Sequence, residues 1–175
     1  MEYLLGIGSL PPSDEATGFL RINKDKIYGL IRPVDFLVTD MNNERFDDVF
    51  ICNFGYSKGD FSIYKNLKNG SYEKEIIPTL SGAIRMEYEN MDEEKKIVVL
   101  FAQEHETLMI CNLESNSFKG EKILQFQPEY GATDFQLKDI DNDGDLDVFI
   151  GAFSINIGPK DSDVTKDNEI SWMKL

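Results

Sequence analysis

The feature that most restricts the fold of this 175-residue chain is a repeat of about fifty residues. Three short apolar cores begin at Val49, Val98 and Val148, so successive cores are 49 and 50 residues apart. Short runs rich in β-branched and aromatic residues are typical of buried strands. Since no window keeps the 3.6-residue period of a helix, the repeat predicts an all-β fold.

Each core has further strand candidates on both sides. One precedes it, in residues 34–40, 84–89 and 133–139, and two more follow. In the first repeat, Asn69-Gly70 lies between two alternating segments and predicts a hairpin turn there. One repeat therefore comprises four antiparallel strands, which is the size of one blade of a β-propeller.

The chain divides into two complete and two partial repeats. We expect a partial blade in residues 1–31, one blade each in 32–80 and 81–131, and a second partial blade in 132–175. Closed propellers typically have about four to eight blades, and these residues supply only about three and a half. The expectation is a single β-propeller segment, a fragment of a larger ring that the remaining blades of a longer chain or a second copy would complete. A four-bladed ring with unusual termini is the other alternative.

Composition excludes some classes of function. The formal net charge of −14 argues against nucleic acid as a partner, because the chain cannot neutralise phosphates. No apolar run approaches the length of a membrane span. Cys52 and Cys111 lie in apolar stretches, so two buried free thiols are favoured over a disulfide. The first residues lack the pattern of a signal peptide, which leaves a cytosolic protein or a segment of an exported precursor.

The most informative local motif is an acidic segment of nine residues, 139–147, which contains five aspartates. Carboxylates packed this closely repel one another, and a bound divalent cation would relieve the repulsion. Donor sets made only of oxygen suit a hard ion, and calcium tolerates crowded ligands better than magnesium. Gly144, at position 6 of the loop, allows a sharp turn. The predicted Ca²⁺ ligands are Asp139, Asp141, Asp143, Asp145 (through its carbonyl) and Asp147.

The other repeats carry weaker versions of this segment. In the first repeat, Asp40, Asn42, Glu44 and Asp48 occupy positions 1, 3, 5 and 9 and are a second predicted calcium set. Position 6 there is Arg45, which costs about 1 kcal/mol if the backbone is left-handed. In the middle repeat, with Glu89 at position 1, Met91 and Ile97 occupy ligand positions, so we expect that connection to be metal-free.

A nine-residue DxDxDGxxD loop between strands, recurring with a four-stranded unit, resembles the FG-GAP/VCBS repeat family, which includes the propeller of integrin α subunits. The resemblance covers nearly the whole chain, and the 139–147 loop matches the motif fully. It implies a β-propeller, usually seven-bladed, with calcium loops on one rim. It also implies an extracellular, periplasmic or cell-surface location and a role in cell adhesion or ligand binding.

No residue pattern indicates catalysis. His105 is the single histidine, and it stands in neither a zinc-protease nor a nucleophile-elbow motif. The predicted function is a non-catalytic calcium-binding module, with calcium stabilising the loops between strands and with an unidentified protein or carbohydrate ligand. The alternative is an accessory or substrate-binding propeller domain of a larger exported enzyme.

Overall fold

The computed structural model describes ten stretches of the chain. They are residues 2–8, 14–42, 44–55, 57–91, 94–103, 106–112, 120–126, 131–144, 146–152 and 171–174. Within these stretches every regular element is a strand, so the all-β prediction is confirmed. No helical segment suited to spanning a lipid bilayer occurs in this part of the chain.

Fourteen strands are described. They are β1 (Tyr3–Gly6), β2 (Gly18–Ile22), β3 (Asp25–Leu30), β4 (Pro33–Thr39), β5 (Asp48–Asn53), β6 (Asp60–Asn66), β7 (Tyr72–Ile76), β8 (Ala83–Met91), β9 (Glu94–Phe101), β10 (Thr107–Asn112), β11 (Gly120–Gln125), β12 (Ala132–Lys138), β13 (Asp147–Ala152) and β14 (Ser171–Lys174).

The strands form four antiparallel sheets in which each strand pairs with its neighbour along the chain. Sheet I contains β1–β3, sheet II β4–β7, sheet III β8–β11 and sheet IV β12–β14. The hairpin predicted at Asn69-Gly70 is confirmed: it joins β6 to β7, and Asn69 Oδ1 accepts a hydrogen bond from the N–H of Ser71 at 3.0 Å. Consecutive pairing of this kind needs only short connections, which suits antiparallel strands.

Sheets II, III and IV share one irregularity. Between their first and second strands the register shifts at the second or third residue of the first strand. Directly after the shift lie Asp35, Arg85 and Asp134. Each of them pairs with the next-to-last residue of the following strand. The three residues are therefore structurally equivalent, and the bulge is a repeated feature of the fold.

Three hydrophobic clusters hold successive sheets together. The cluster between sheets I and II includes Leu20 and Ile51, and the cluster between sheets II and III includes Phe50 and Phe101. The cluster between sheets III and IV includes Leu100. Because side chains alternate between the faces of a strand, each inner sheet contributes to two clusters. The sheets thus pack in chain order, with apolar side chains between each consecutive pair.

Candidate metal centre

The acidic segment 139–147 forms the connection from β12 to β13, and we refer to it as the Asp139 loop. Carboxylate oxygens of Asp139, Asp141 and Asp147 all lie within 4.8 Å of one another. Calcium binds oxygen at about 2.3–2.6 Å, so two ligands on opposite sides of an ion are about 5 Å apart. These three side chains could therefore contact one cation together.

Backbone N–H groups hold the carboxylates of this loop in place. The N–H of Asp143 donates to Asp139 Oδ1 and to Asp141 Oδ1, each at 3.2 Å, and the N–H of Gly144 donates to Asp139 Oδ2 at 3.0 Å. Gly144 has φ 98°, a left-handed conformation that glycine adopts without the cost of a Cβ. The chain therefore curls around Asp139 and keeps its oxygens near those of Asp141.

Asp147 closes the loop from the first residue of β13. Its side chain is only 2% exposed, and its Oδ2 accepts a hydrogen bond from the N–H of Ile140 at 3.0 Å. A buried carboxylate is costly unless it is paired with donors or a cation. Of the five predicted ligands, Asp145 lies outside the described residues and Asp143 offers its backbone N–H to the two carboxylates beside it.

Residues 40–48, which connect β4 to β5 and which we refer to as the Asp40 loop, repeat this arrangement. The N–H of Glu44 donates to Asp40 Oδ1 at 3.0 Å and to Asn42 Oδ1 at 3.1 Å. The N–H of Arg45 donates to Asp40 Oδ2 at 2.7 Å. Arg45 has φ 68°, so the left-handed backbone expected at position 6 is present without a glycine. Positions 1, 3, 5 and 6 of both loops make the same three hydrogen bonds.

Asp48 of the Asp40 loop has an oxygen that no donor among the described residues satisfies. Its side chain is 4% exposed, and Oδ1 accepts a hydrogen bond from the N–H of Asn66 at 2.9 Å. Oδ2 is buried and has no hydrogen-bond partner in the part of the chain that the structure describes. Burial raises the pKa of this carboxyl, and the nearby charges of Asp40 and Glu44 add to the effect. A cation at this place would remove both the missing contact and the repulsion.

Glu44, the predicted ligand at position 5, is engaged elsewhere. Its carboxylate forms an ion pair with Lys68, whose amino group also lies 5.3 Å from the centre of the Phe46 ring. Of the four predicted side-chain ligands of the Asp40 loop, Asp40, Asn42 and Asp48 are therefore left for an ion. The sequence pattern missed Lys68 because it comes from the β6–β7 hairpin, which is distant along the chain.

The middle repeat differs from the other two in its backbone. Strands β8 and β9 remain paired as far as Met91 and Glu94, so only two residues of the sequence separate the paired ends. The pairing of Glu89 with Lys96 also places Asn90 at the position of Asp40 and Asp139. The prediction that Glu89 occupies position 1 of this connection was therefore wrong by one residue. Lys96 then stands where Asp48 and Asp147 close the other loops. An ammonium group at this point repels a cation.

The remaining sequence candidates are less informative. His105 lies outside the described residues. Cys52 and Cys111 are buried free thiols, as expected. Burial raises the pKa of Cys52 well above its usual value and that of Cys111 to about 12, so neither thiol is a reactive nucleophile.

No protein-family model, curated protein sequence or solved structure matches this chain.

Proposed function

We propose that this chain is a calcium-stabilised β-propeller segment of the FG-GAP/VCBS type, which acts as a non-catalytic binding or scaffold module. One observation carries the proposal. The Asp40 and Asp139 loops, 99 residues apart by first residue, make the same three hydrogen bonds from backbone N–H groups to side-chain oxygens. In one loop three carboxylates converge, and in the other a buried carboxylate oxygen lacks a partner among the described residues.

The chemistry of the donors favours calcium. The ligand atoms that the described parts of the two loops bring together are carboxylate and amide oxygens, supplied by Asp139, Asp141 and Asp147 in one loop and by Asp40 and Asn42 in the other. Magnesium requires a compact octahedron and releases its water reluctantly, whereas calcium accepts six to eight oxygens in irregular arrangements. A loop with ligands at alternate positions therefore suits calcium better than magnesium or zinc.

The ion has a structural role in this proposal. Asp139 and Asp147 lie at the end of β12 and the start of β13, so a shared cation ties the first two strands of sheet IV. Asp40 and Asp48 are placed in the same way in sheet II. A cation whose coordination is completed by protein oxygens has no open position for a substrate. Calcium would thus stabilise the connections without taking part in a reaction.

The packing of the sheets supports the propeller part of the proposal. The first strands of sheets II, III and IV, namely β4, β8 and β12, contact one another in sequence. Blades of a propeller likewise bring their first strands together around a central axis. Each of the four sheets is an antiparallel meander, as a blade requires. The calcium loops then lie on one rim, because both join a first strand to a second.

The partner and the location follow from the same proposal. Propellers bind ligands at the loops of one face or in the central channel, and we propose a protein or carbohydrate ligand there. Calcium loops of modest affinity fill where calcium is abundant, which is outside the cytosol. We therefore propose an extracellular, periplasmic or cell-surface location.

Thermal unfolding and calorimetric titration with calcium, magnesium and EDTA test the calcium sites. We expect calcium at about 100 times its dissociation constant to stabilise the wild type by about 2.7 kcal/mol per site, or on the order of 5–10 °C. Asp141→Ala should lose the Asp139 site, and Asp48→Asn should lose the Asp40 site. Glu73→Ala, an exposed carboxylate on β7, removes the same charge and should respond like the wild type.

Titration stoichiometry then separates the outcomes. Two ions for the wild type and one for each loop variant support the proposal. A wild type whose melting temperature is the same in calcium and in EDTA, with no heat of binding, contradicts it.

A further inference from the structure

The second strand of each inner sheet contacts a different neighbour with each face. In β5, Val49 and Ile51 pack toward sheet I, whereas Phe50 and Cys52 pack toward sheet III. Strand β9 repeats this division, with Ile97 and Val99 toward sheet II and with Val98 and Leu100 toward sheet IV. One face therefore packs on the preceding sheet, and the other face packs on the following sheet.

Strand β13 of sheet IV follows the same rule, but within the described residues no further sheet packs on its other face. Val148 and Ile150 pack toward sheet III. Phe149 lies on the other face and is equivalent to Phe50. Each is the second apolar residue of its strand, and each pairs with a first-strand residue that lies two positions after the residue directly following the register shift. Phe50 is completely buried, whereas Phe149 is half-buried and Gly151 beside it is exposed. The face that packs on a following sheet in the rest of the chain is thus accessible here.

A groove of about 440 Å³ runs along this accessible face, and we refer to it as the sheet IV groove. Asp134, Gln136 and Phe149 are among its lining residues. Equivalent positions in the other sheets carry acceptors for the next first strand. Asp35 Oδ2 accepts from the N–H of Met86 at 2.9 Å, and Glu87 Oε2 accepts from the N–H of Leu137 at 2.9 Å.

The pairing registers place Asp134 at the position of Asp35 and Gln136 at the position of Glu87. Both have an oxygen that can accept a hydrogen bond. The sheet IV groove therefore combines an apolar floor with the acceptors that elsewhere hold the edge of another sheet of the same kind.

The opposite end of the stack carries an aromatic ridge, which consists of Phe19 and Tyr28. These cross-strand partners lie on the outer face of sheet I, with ring centres 6.4 Å apart. The ring of Phe19 lies across Gly6, where an added Cβ would come within 2.3 Å of it. Tyr28 is 65% exposed. Stacked repeats usually end in polar faces that keep the terminal unit soluble, whereas this end carries an exposed aromatic side chain.

We propose that the aromatic ridge of one molecule docks into the sheet IV groove of a second copy of the chain. The sheets of two molecules would then follow one another in the order found within one molecule, so the contact continues an existing kind of interface. Arg21 and Lys26 are cross-strand partners on the face of the ridge, and Asp134 and Lys138 both line the groove, so charged side chains border the apolar contact on both molecules.

The two surfaces are different, so the contact is heterologous. Contacts of this kind close into a ring when the rotation between copies allows it and otherwise form open chains. No residue of the calcium loops takes part, and the association is therefore expected in EDTA as well as in calcium.

Sedimentation velocity over a wide range of protein concentration tests this proposal. Salt should be moderate, because copies with a net charge of −14 repel one another. The wild type should shift from the monomer mass to about twice that mass or more as concentration rises. Tyr28→Glu and Phe149→Glu should each remain monomeric. Ile76→Glu changes an apolar residue of β7 that is 57% exposed and lies away from both end surfaces, so this variant should associate like the wild type.

Mixing the two variants gives the sharpest result. Tyr28→Glu retains an intact groove and Phe149→Glu retains an intact ridge, so an equimolar mixture should form a 1:1 dimer. Gln136→Arg, on an exposed position, replaces Phe149→Glu if the latter does not fold by circular dichroism. A wild type that is monomeric at every concentration overturns the proposal. Association that survives the ridge and groove substitutions, or variants that do not dimerise on mixing, overturns it equally.

Discussion

Arg85 Nε on β8 donates a hydrogen bond to Asp134 Oδ1 on β12 at 3.0 Å. The same guanidinium contacts Asp35 on β4 at 3.2 Å and Glu87 on its own strand at 3.2 Å. One side chain therefore links the first strands of sheets II, III and IV. The three carboxylates would repel one another without it, since they belong to strands that pack side by side.

We predict that Arg85→Met lowers the free energy of unfolding by about 1–2 kcal/mol, with the apolar stem largely retained. The figure is modest because the guanidinium is partly solvated. Asp134→Asn should cost less than about 1 kcal/mol, because this partner is the most exposed of the three. Urea denaturation measures both. Equal losses for the two variants would show that the arginine acts through Asp134 alone.

Position 6 of the two acidic loops offers a matched pair of backbone tests. Arg45 has φ 68° and Gly144 has φ 98°, and no atom lies within 4 Å of a Cβ built on Gly144. We expect Arg45→Gly to stabilise the fold by up to about 1 kcal/mol, and Gly144→Ala to destabilise it by about 1–2 kcal/mol. Thermal unfolding in EDTA isolates the backbone effect from any ion. Destabilisation by Arg45→Gly would mean that the arginine side chain makes a contribution larger than the strain.

Glu87 provides a test of pH dependence. Burial raises its pKa from the usual 4.5, against the opposing effects of the Leu137 N–H and Arg85. A carboxyl whose pKa is higher in the folded protein binds its proton more tightly there. Its contribution to stability is full below the unfolded pKa and is lost as the pH rises through the folded pKa.

Glu87→Gln does not titrate, so its stability relative to the wild type should increase as the pH is raised from about 4 to about 7. Urea midpoints at several pH values measure the difference. The opposite trend, with the wild type gaining relative to glutamine, would show that the ion pair with Arg85 outweighs burial.

The two thiols should be inert in the folded protein. Burial raises the pKa of Cys111 to about 12 and that of Cys52 well above its usual value, so almost no thiolate forms near neutral pH. We expect reaction with an aromatic disulfide reagent to proceed only at the rate of unfolding and to accelerate in urea. Rapid modification of one thiol in the absence of denaturant would mean that its cluster opens locally.

Much of this molecule can be inferred from local patterns. The fifty-residue spacing of apolar cores predicts strands, and Asn69-Gly70 predicts the hairpin between β6 and β7. The nine-residue loop from Asp139 to Asp147 needs only its own backbone to bring its carboxylates together, since the donors to Asp139 lie four and five residues away. The predicted position 1 of the middle repeat, Glu89, was wrong by one residue, because the sequence alone does not show how far β8 and β9 remain paired.

By itself the sequence determined the all-β class, the position of the acidic loops and the burial of the two cysteines, because each depends on residues close together in the chain. Only the tertiary structure decided that Asp48 Oδ2 has no donor within the described stretches, that Lys68 engages Glu44 and that Arg85 joins three sheets. These relationships connect residues up to 50 positions apart. They depend on how the sheets stack, which the packing of apolar faces determines and no local pattern encodes.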